Sequence, residues 1–359
     1  MKNEIESKKN KDYASIVRLW LIVGLIMIFV QVILGGITRL TGSGLSITKW
    51  DIVTGTLPPL NAEQWTEAFE LYKATPQYEK INEGMELGQF KFIFFWEYFH
   101  RLWARLMGFV FIIPFLIFWA KGMIDKILMK RLGTVLLLAA VVASFGWIMV
   151  ASGLEDRPWV NAYKLSLHLS LAFILYSYLL WVIFQTLNIK KEVINNKVLK
   201  RNTLAILAIV AVQIILGGIN SGMKAGLYYP TWPDMNGFFI PSILTNSANW
   251  TVENLVNYDQ FSFMPAIVQF VHRLIAYLLI IIGLWYFLKA RTLEVSTRFK
   301  AGLLLFVSML IIQVLLGIFT VIYCLGKVPL TLGVLHQAGA LLLLSILLFL
   351  LYLQGKKNT

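Results

Sequence analysis

The chain has 359 residues, of which 58% are hydrophobic and only 14% are charged. Soluble globular chains carry about 25% charged residues, so the composition argues against a soluble domain and favours a protein that has the bilayer as its solvent. The formal net charge of +13 would suit nucleic acid, but the basic residues follow membrane topology instead. One cysteine, Cys324, excludes an intramolecular disulfide.

Eight stretches are apolar and long enough to cross a bilayer as helices, which takes about 20 residues. They span residues 19–38, 92–120, 132–151, 165–187, 203–222, 263–288, 301–323 and 330–353. The sequence lacks the alternation over about ten residues that marks membrane β-strands. We therefore predict an all-α integral membrane protein with eight transmembrane helices. The first stretch has no small-residue cleavage pattern, so we expect a retained helix and not a signal peptide.

The basic residues indicate which side of the membrane each connection faces. The N-terminus, the connections after spans two, four and six, and the C-terminus carry most of the chain's 32 Lys and Arg residues. Because Lys and Arg in short connections mark the cytoplasmic side, both termini are expected in the cytoplasm. The acidic residues Glu4, Glu6 and Asp12 are unlike a mitochondrial transit peptide and indicate a bacterial inner membrane. No role in nucleic-acid binding is expected.

Two connections are long and are expected on the outer side: 41–91 and 223–262. In the first, Asn61 is a candidate helix cap with Gln64 at the third helical position. Trp65, Phe69 and Tyr72 then fall on one helical face. This pattern predicts an amphipathic helix that lies on the membrane surface or covers a site, although a plain connector fits the stretch equally well.

The two halves of the sequence resemble each other. The matching segments are Gln31-Val-Ile-Leu-Gly-Gly-Ile37 with Gln213-Ile-Ile-Leu-Gly-Gly-Ile219, His100-Arg-Leu102 with His272-Arg-Leu274, and Leu167-His168 with Leu335-His336. Gln313-Val-Leu-Leu-Gly317 gives a third copy of the Gln-x-x-Leu-Gly pattern. Each half holds four spans, so the repeat should keep its orientation about an axis along the membrane normal. We predict two pseudo-symmetric four-helix bundles, residues 1–190 and 191–359.

All four histidines of the chain lie in apolar spans, near the outer ends of the even-numbered ones: His100, His168, His272 and His336. Intramembrane ionisable residues are costly and usually functional. One alone would more often be a hydrogen-bonded core residue, but four that obey the repeat indicate metal ligands. Zinc would require three or four ligands, whereas two imidazoles in a bundle suit an iron that already holds four porphyrin nitrogens. The sequence thus predicts heme iron between His100 and His168 and between His272 and His336.

The halves differ beside the first histidine of each pair. Glu97 lies three residues before His100 on the same helix face, and Gln269 stands in that position before His272. A carboxylate at one site and an amide at the other suggest chemistry at the first site and a resident cofactor at the second. The alternative is that Glu97 orients its histidine or pairs with a nearby arginine.

Three arginines lie close to these histidines: Arg101, Arg105 and Arg273. Guanidinium groups bind carboxylates bidentately, and heme carries two propionates, so these residues are candidate cofactor-binding residues. The alternative is that the side chains extend to the outer lipid headgroups.

Several segments resemble the heme A synthase family over nearly the whole chain. They are Gly35-Gly-Ile-Thr-Arg-Leu-Thr-Gly-Ser-Gly-Leu-Ser46, Trp50, Pro58-Pro-Leu60, Phe94-Phe-Trp-Glu-Tyr-Phe-His-Arg101, Met149-Val-Ala-Ser-Gly-Leu154 and Thr231-Trp-Pro233. The likeness is closest to the mitochondrial and proteobacterial branch, which has the long first connection. Another branch carries a cysteine pair in that connection, and this sequence has none. Val142 and Pro230 depart from the pattern, where the family often has Gln and Asn.

The resemblance implies an oxidoreductase that converts the C8 methyl group of heme O to the formyl group of heme A, through hydroxylations and loss of water. The heme A would serve cytochrome c oxidase, and heme O synthase is a candidate partner that delivers the substrate. The resemblance places catalysis around Glu97, His100 and His168, and heme b on His272 and His336. We expect Glu97 to handle protons at the reacting carbon. The oxidant, the electron partner and homo-oligomeric assembly stay open.

Two other functions fit parts of the pattern. One is an electron-transfer cytochrome with two resident b hemes and no substrate, against which the difference between Glu97 and Gln269 speaks. The other is a transporter built on a parallel repeat. Transporters often have helices broken at mid-span, and only Pro114 has that position here.

Overall fold

The computed structural model describes residues 13–48, 57–153, 157–187, 189 and 197–354. Its α-helices are, in chain order, α1 (Ser15–Leu40), α2 (Ala62–Lys73), α3 (Pro76–Ile81), α4 (Leu87–Ala120), α5 (Lys126–Ala151), α6 (Ala162–Thr186), α7 (Lys197–Gly222), α8 (Ala225–Tyr228), α9 (Ser242–Thr245), α10 (Val252–Val256), α11 (Phe263–Ala290), α12 (Thr297–Ile322) and α13 (Leu330–Leu353). Trp50 and Leu154 of the family segments lie outside the described residues.

Eight of the described helices are long and apolar enough to cross a membrane: α1, α4, α5, α6, α7, α11, α12 and α13. Each overlaps one predicted span, which confirms the all-α membrane fold. Six of them begin three to six residues before the predicted apolar stretch, because the first turn continues the helix beyond it. In α5, for example, the Asp125 side chain caps the first turn by accepting a hydrogen bond from the Leu128 amide at 2.7 Å.

Helix α4 is longer than a bilayer requires. It has 34 residues, about 50 Å at 1.5 Å per residue, against a hydrocarbon core about 30 Å thick. It begins at Leu87, five residues before the predicted span. Its outer turns are packed against the first long connection, where the Phe90 ring stacks on Phe69 at 5.0 Å and lies 5.2 Å from Tyr72. The outer turns of α4 therefore support the first long connection, which covers the outer end of the first half.

The predicted amphipathic helix is α2. Asn61 caps it by accepting a hydrogen bond from the Gln64 amide at 2.9 Å, and Gln64 Oε1 accepts one from the Leu60 amide at 2.7 Å. Phe69 and Tyr72 are buried. Because the apolar face packs on α4, α2 covers the first half, which is one of the two roles predicted for it.

The long helices pack as two groups of four that meet along a central seam. In the first half α1 contacts α4 and α6, and α6 contacts α5; in the second half α7 contacts α11 and α13, and α13 contacts α12. The halves meet through α1 with α13, α6 with α7, and α6 with α13. In the repeat, α1 corresponds to α7 and α6 corresponds to α13. The contact of α1 with α13 is therefore equivalent to that of α7 with α6, and the contact of α6 with α13 is equivalent to itself, as expected for a pseudo-two-fold axis beside α6 and α13.

The seam depends on glycines of α7. An added Cβ on Gly222 would lie 2.6 Å from the Ala162 Cα of α6, and one on Gly218 would lie 2.9 Å from the Ser166 Cα. These distances leave no room for a side chain, so the two backbones can approach each other only because both positions are glycine. The outer ends of α6 and α7 are thereby held together, and with them the two histidine sites.

Candidate functional site

A cavity of about 1760 Å³ runs through both halves and is lined by all four histidines. A pocket for one small ligand usually measures about 300–1,000 Å³, so this cavity has room for two large planar ligands. We call the region at His100 and His168 the first site and the region at His272 and His336 the second site. Each predicted pair lines this cavity from two helices of one half.

Helices α1 and α4 build the His100 side of the first site. Gln31 donates a hydrogen bond through Nε2 to the backbone carbonyl of His100 at 3.2 Å, and the same nitrogen lies 3.0 Å from His100 Nε2. One turn along α1, a Cβ on Gly35 would lie 3.3 Å from that imidazole nitrogen. The glutamine thus orients the histidine, and the glycine leaves the space that the imidazole ring occupies.

The second site repeats this arrangement twice. Gln213 donates to the His272 carbonyl at 2.9 Å, and a Cβ on Gly217 would lie 3.3 Å from the His272 ring. In the same way Gln313 donates to the His336 carbonyl at 2.6 Å, and a Cβ on Gly317 would lie 3.1 Å from the ring of that histidine. The Gln-x-x-Leu-Gly pattern of the sequence is therefore a unit that holds a histidine, a role that the sequence repeat alone did not reveal.

His168 is held differently, because Val142 takes the glutamine position of this unit. The Nδ1 atom of His168 lies 3.0 Å from the Val142 carbonyl oxygen. A carbonyl can only accept, so Nδ1 carries the proton and Nε2 has the free lone pair for a metal. Gly146 keeps its place in the unit, and a Cβ there would lie 2.9 Å from the His168 ring.

Glu97 is buried, at 3% exposure, and it is saturated with hydrogen bonds. Its Oε2 accepts from the Ser46 amide and hydroxyl, both at 2.7 Å, and from the Ile47 amide at 2.9 Å. Its Oε1 pairs with Arg101 at 2.5 Å. The carboxylate thus holds the segment that follows α1 over the first site. It also lines the cavity, where no other acidic side chain is found among the described lining residues.

In the second half, the residues equivalent to Glu97 and Arg101 bind the second long connection, 223–262. Gln269, the counterpart of Glu97, donates to the Tyr229 carbonyl at 3.0 Å. Arg273, the counterpart of Arg101, donates to the carbonyls of Tyr229 at 3.0 Å and Asp234 at 2.7 Å. We call the described part of connection 41–91 the first cover and connection 223–262 the second cover. Both are attached at the same repeat positions, by a buried ion pair in the first half and through neutral acceptors in the second.

The three arginines predicted beside the histidines all line the cavity. Arg101 contacts Glu97 and the Ile47 carbonyl, and Arg273 contacts the backbone of the second cover, whereas Arg105 lies one turn further into the bundle. Sequence reasoning missed two further cations of the cavity wall, Arg39 and Lys224. Alignment of the two halves could have pointed to Arg39, because the equivalent position in the second half is Ser221 and the charge is therefore not part of the repeat.

The donor set fits a porphyrin iron better than a bare metal ion. Among the described residues, no three His, Cys, Asp or Glu side chains come together in a way that would hold a metal. The Nδ1 atoms of His272 and His336 are buried and have no partner in the described part of the chain. Each site offers two imidazoles on the wall of an apolar cavity, which is what a six-coordinate heme requires from a helical bundle.

Fold and site together define a polytopic helical membrane protein with a repeated four-helix unit and one pair of histidines in each unit. The chain belongs to the COX15-CtaA family of cytochrome oxidase assembly proteins, whose family model matches residues 18–348. It is 42% identical to the heme A synthase of Nitrosospira multiformis over 336 residues, which covers 93% of this chain and 92% of that protein. It is 40% identical to the heme A synthase of Flavobacterium johnsoniae over 354 residues, or 97% and 99% of the two chains.

Proposed function

We propose that this protein is a heme A synthase, an enzyme that oxidises the C8 methyl group of heme O to a formyl group. The observation that carries the proposal is the asymmetry of the repeat: each half lines the cavity with a histidine pair, but among the described residues only the first site has a buried carboxylate in its wall. The relatives that match over nearly the full chain are named heme A synthases, which supports the same reaction.

The first half, residues 1–190, is proposed to bind the substrate heme O. His100 and His168 hold the ring on its iron, and the Nδ1 hydrogen bond of His168 fixes the orientation of that imidazole. Glu97 accepts or returns the proton at the reacting carbon, while the cover that it holds excludes water. Arg101 pairs with this carboxylate, and Arg101 and Arg105 are proposed to face the propionates.

The second half, residues 191–359, is proposed to hold a resident heme b on His272 and His336, with Arg273 on its propionate side. This heme would supply one-electron transfer to or from the first site. The protein's own contribution is positional: Gln213 and Gln313 fix the two histidines through their carbonyls. Both sites lie on one cavity, so no protein layer separates them completely.

The protein is proposed to lie in the bacterial inner membrane with both termini in the cytoplasm. Its outer end, the end with the two long connections, then faces the periplasm and contains both sites. Heme O, delivered by heme O synthase, would enter from the lipid phase, and the product would pass to cytochrome c oxidase.

The test is expression in a bacterial host that makes heme O but has no heme A synthase, followed by chromatography of the extracted hemes. Heme A should appear with this chain and not with a His100→Ala, His168→Ala double variant. A membrane that contains the folded protein and accumulates only heme O would refute the proposal.

A second candidate is a membrane cytochrome with two resident b hemes. The shared Gln/Gly frame at His100, His272 and His336 favours it, since the two sites are so similar in build. The same experiment separates the functions, because a cytochrome would acquire two b hemes and leave heme O unchanged.

A further inference from the structure

Arg39 lies in the last turn of α1 and lines the cavity. Its Nη2 donates to the backbone carbonyls of Ser221 at 2.9 Å and Gly222 at 3.4 Å, at the end of α7. Its Nε is buried and has no partner among the described residues. No acidic side chain in the described part of the chain pairs with it, so its charge is held at the seam by carbonyl dipoles alone.

Lys224 is a second cation on the same wall. Its backbone is left-handed, with φ of 53°, which is uncommon for a residue with a side chain. Its Nζ lies 4.2 Å from the centre of the Trp159 ring. Burial, and then the charge of Arg39, lower the pKa of Lys224, while Asp259 acts in the opposite direction. That carboxylate is already engaged, with Arg157 at 2.9 Å.

Two cations without an acidic partner in the described chain are costly where they border an apolar cavity. The cost is removed when an anion binds between them, and a carboxylate is the anion that a guanidinium matches best. The Nε atom, which is buried and has no partner among the described residues, leaves one donor of the Arg39 guanidinium for such a ligand. The wall is therefore built to receive a carboxylate.

The position of the pair connects it with the first site. Arg39 is one turn beyond Gly35, whose backbone faces His100, so it lies about 6 Å further toward the outer end of α1. Trp159, whose ring contacts Lys224, lies three residues before the start of α6, the helix that carries His168. A Cβ on Gly153 would lie 3.2 Å from the Trp159 backbone and 2.9 Å from Leu45 of the first cover.

We propose that Arg39 and Lys224 bind a propionate carboxylate of the heme substrate in the first site. The identification of the ligand as heme rests on the proposed function, whereas the choice of Arg39 and Lys224 as its binding residues rests on their geometry. Lys224 comes from the second half of the chain, so the substrate site is completed across the repeat. Ser221 occupies the repeat position of Arg39, and the second site therefore lacks an equivalent pair.

The test compares ferric protoheme with its dimethyl ester, which has the same ring and iron but no free carboxylates. The full-length protein, purified in detergent with its resident heme, is titrated with each compound while the Soret band is recorded. Arg39→Gln and Lys224→Gln should each weaken binding of protoheme about tenfold to a hundredfold, the loss expected for a charge-assisted hydrogen bond. The ester should bind equally well to the wild type and to both variants.

Lys327→Gln is the matched control, because Lys327 is an exposed cation at the outer end of the protein and is not among the residues that line the cavity. It should leave both affinities unchanged, and Lys224→Arg should restore most of the preference for protoheme. Retention of the resident heme shows that each variant is folded.

If Arg39→Gln and Lys224→Gln keep the wild-type preference for protoheme over its ester, the carboxylate subsite is wrong. Failure of the proposed function looks different. In that case His100→Ala would bind added heme with the wild-type affinity and spectrum, whatever the cations do.

Discussion

Replacement of Glu97 by glutamine separates the proton transfer that we propose for this residue from the attachment of the cover through its hydrogen bonds. The amide keeps the size of the side chain and one acceptor oxygen, which can still receive the amides of Ser46 and Ile47. It removes the titrating group and the charge opposite Arg101. The side chains of this pair are only 4% and 13% exposed, so the guanidinium loses its partner in a largely buried position.

The expected effects differ in size. Breaking a buried pair costs about 3–5 kcal/mol of stability, an upper figure here because Arg101 also contacts the Ile47 carbonyl. General acid–base catalysis contributes about 10²–10⁴-fold to a rate. Glu97→Gln should therefore lower heme A formation at least about a hundredfold, while the resident heme on His272 and His336 is kept because those residues lie in the other half.

Ser46→Ala is the matched control for the cover. It removes one of the donors to Glu97 Oε2 and leaves the two backbone amides and Arg101 in place. The loss of one such hydrogen bond changes the equilibrium constant for attachment of the cover by about tenfold or a little more. The carboxylate remains available for proton transfer.

The assay is chromatography of hemes extracted from cells that make only the variant, together with the second-site heme content of the purified protein. Collapse of heme A in Glu97→Gln with substantial heme A in Ser46→Ala supports proton transfer. Near-normal heme A in a stable Glu97→Gln protein would refute it, and equal losses in both variants would assign Glu97 to the cover alone.

Three further predictions test other parts of the account. His336→Ala should lose the low-spin heme of the second half, whereas His168→Ala should keep it; optical spectra of the two purified variants decide this, and a full second-half heme in the first variant would contradict the assignment. Gly146→Ala should reduce first-site heme binding because its Cβ would crowd the His168 ring, whereas Gly133→Ala in the same helix meets nothing within 4 Å and should bind heme normally; equal heme titrations would show that the close approach has no role. A cytoplasmic reporter joined to the C-terminus should be active and a periplasmic one inactive, and the reverse result would invert the topology.

The eight helices were predictable because each stretch of about 20 apolar residues has few alternatives in a bilayer. The ends were not, since hydropathy marks the apolar part of a helix and not its hydrogen-bonded limits. Helix α4 shows this most clearly: its outer turns at Leu87 are stabilised by packing against Phe69 and Tyr72 from a separate helix, which no local pattern contains.

The candidate site was predictable at its histidines and not at their supports. Four histidines in apolar spans stand out from the sequence, but the contacts of Gln31 and Gln213 with histidine carbonyls require helices to be placed next to each other. Arg39 and Lys224 were missed for the same reason, because they are far apart in sequence and meet only at the seam. The bonds of Glu97 to Ser46 and Ile47 likewise arise from the path of the first connection, which the sequence leaves undefined.

The most direct test of the central claim is the optical and mass analysis of hemes extracted from the purified wild-type protein. Two different sites predict one heme b per chain, together with heme O, heme A or a partly oxidised intermediate at the first site. His100→Ala should remove the heme O, heme A or intermediate of the first site and leave the heme b of the second site. Two unmodified b hemes per chain, both retained when heme O is supplied, would contradict the account.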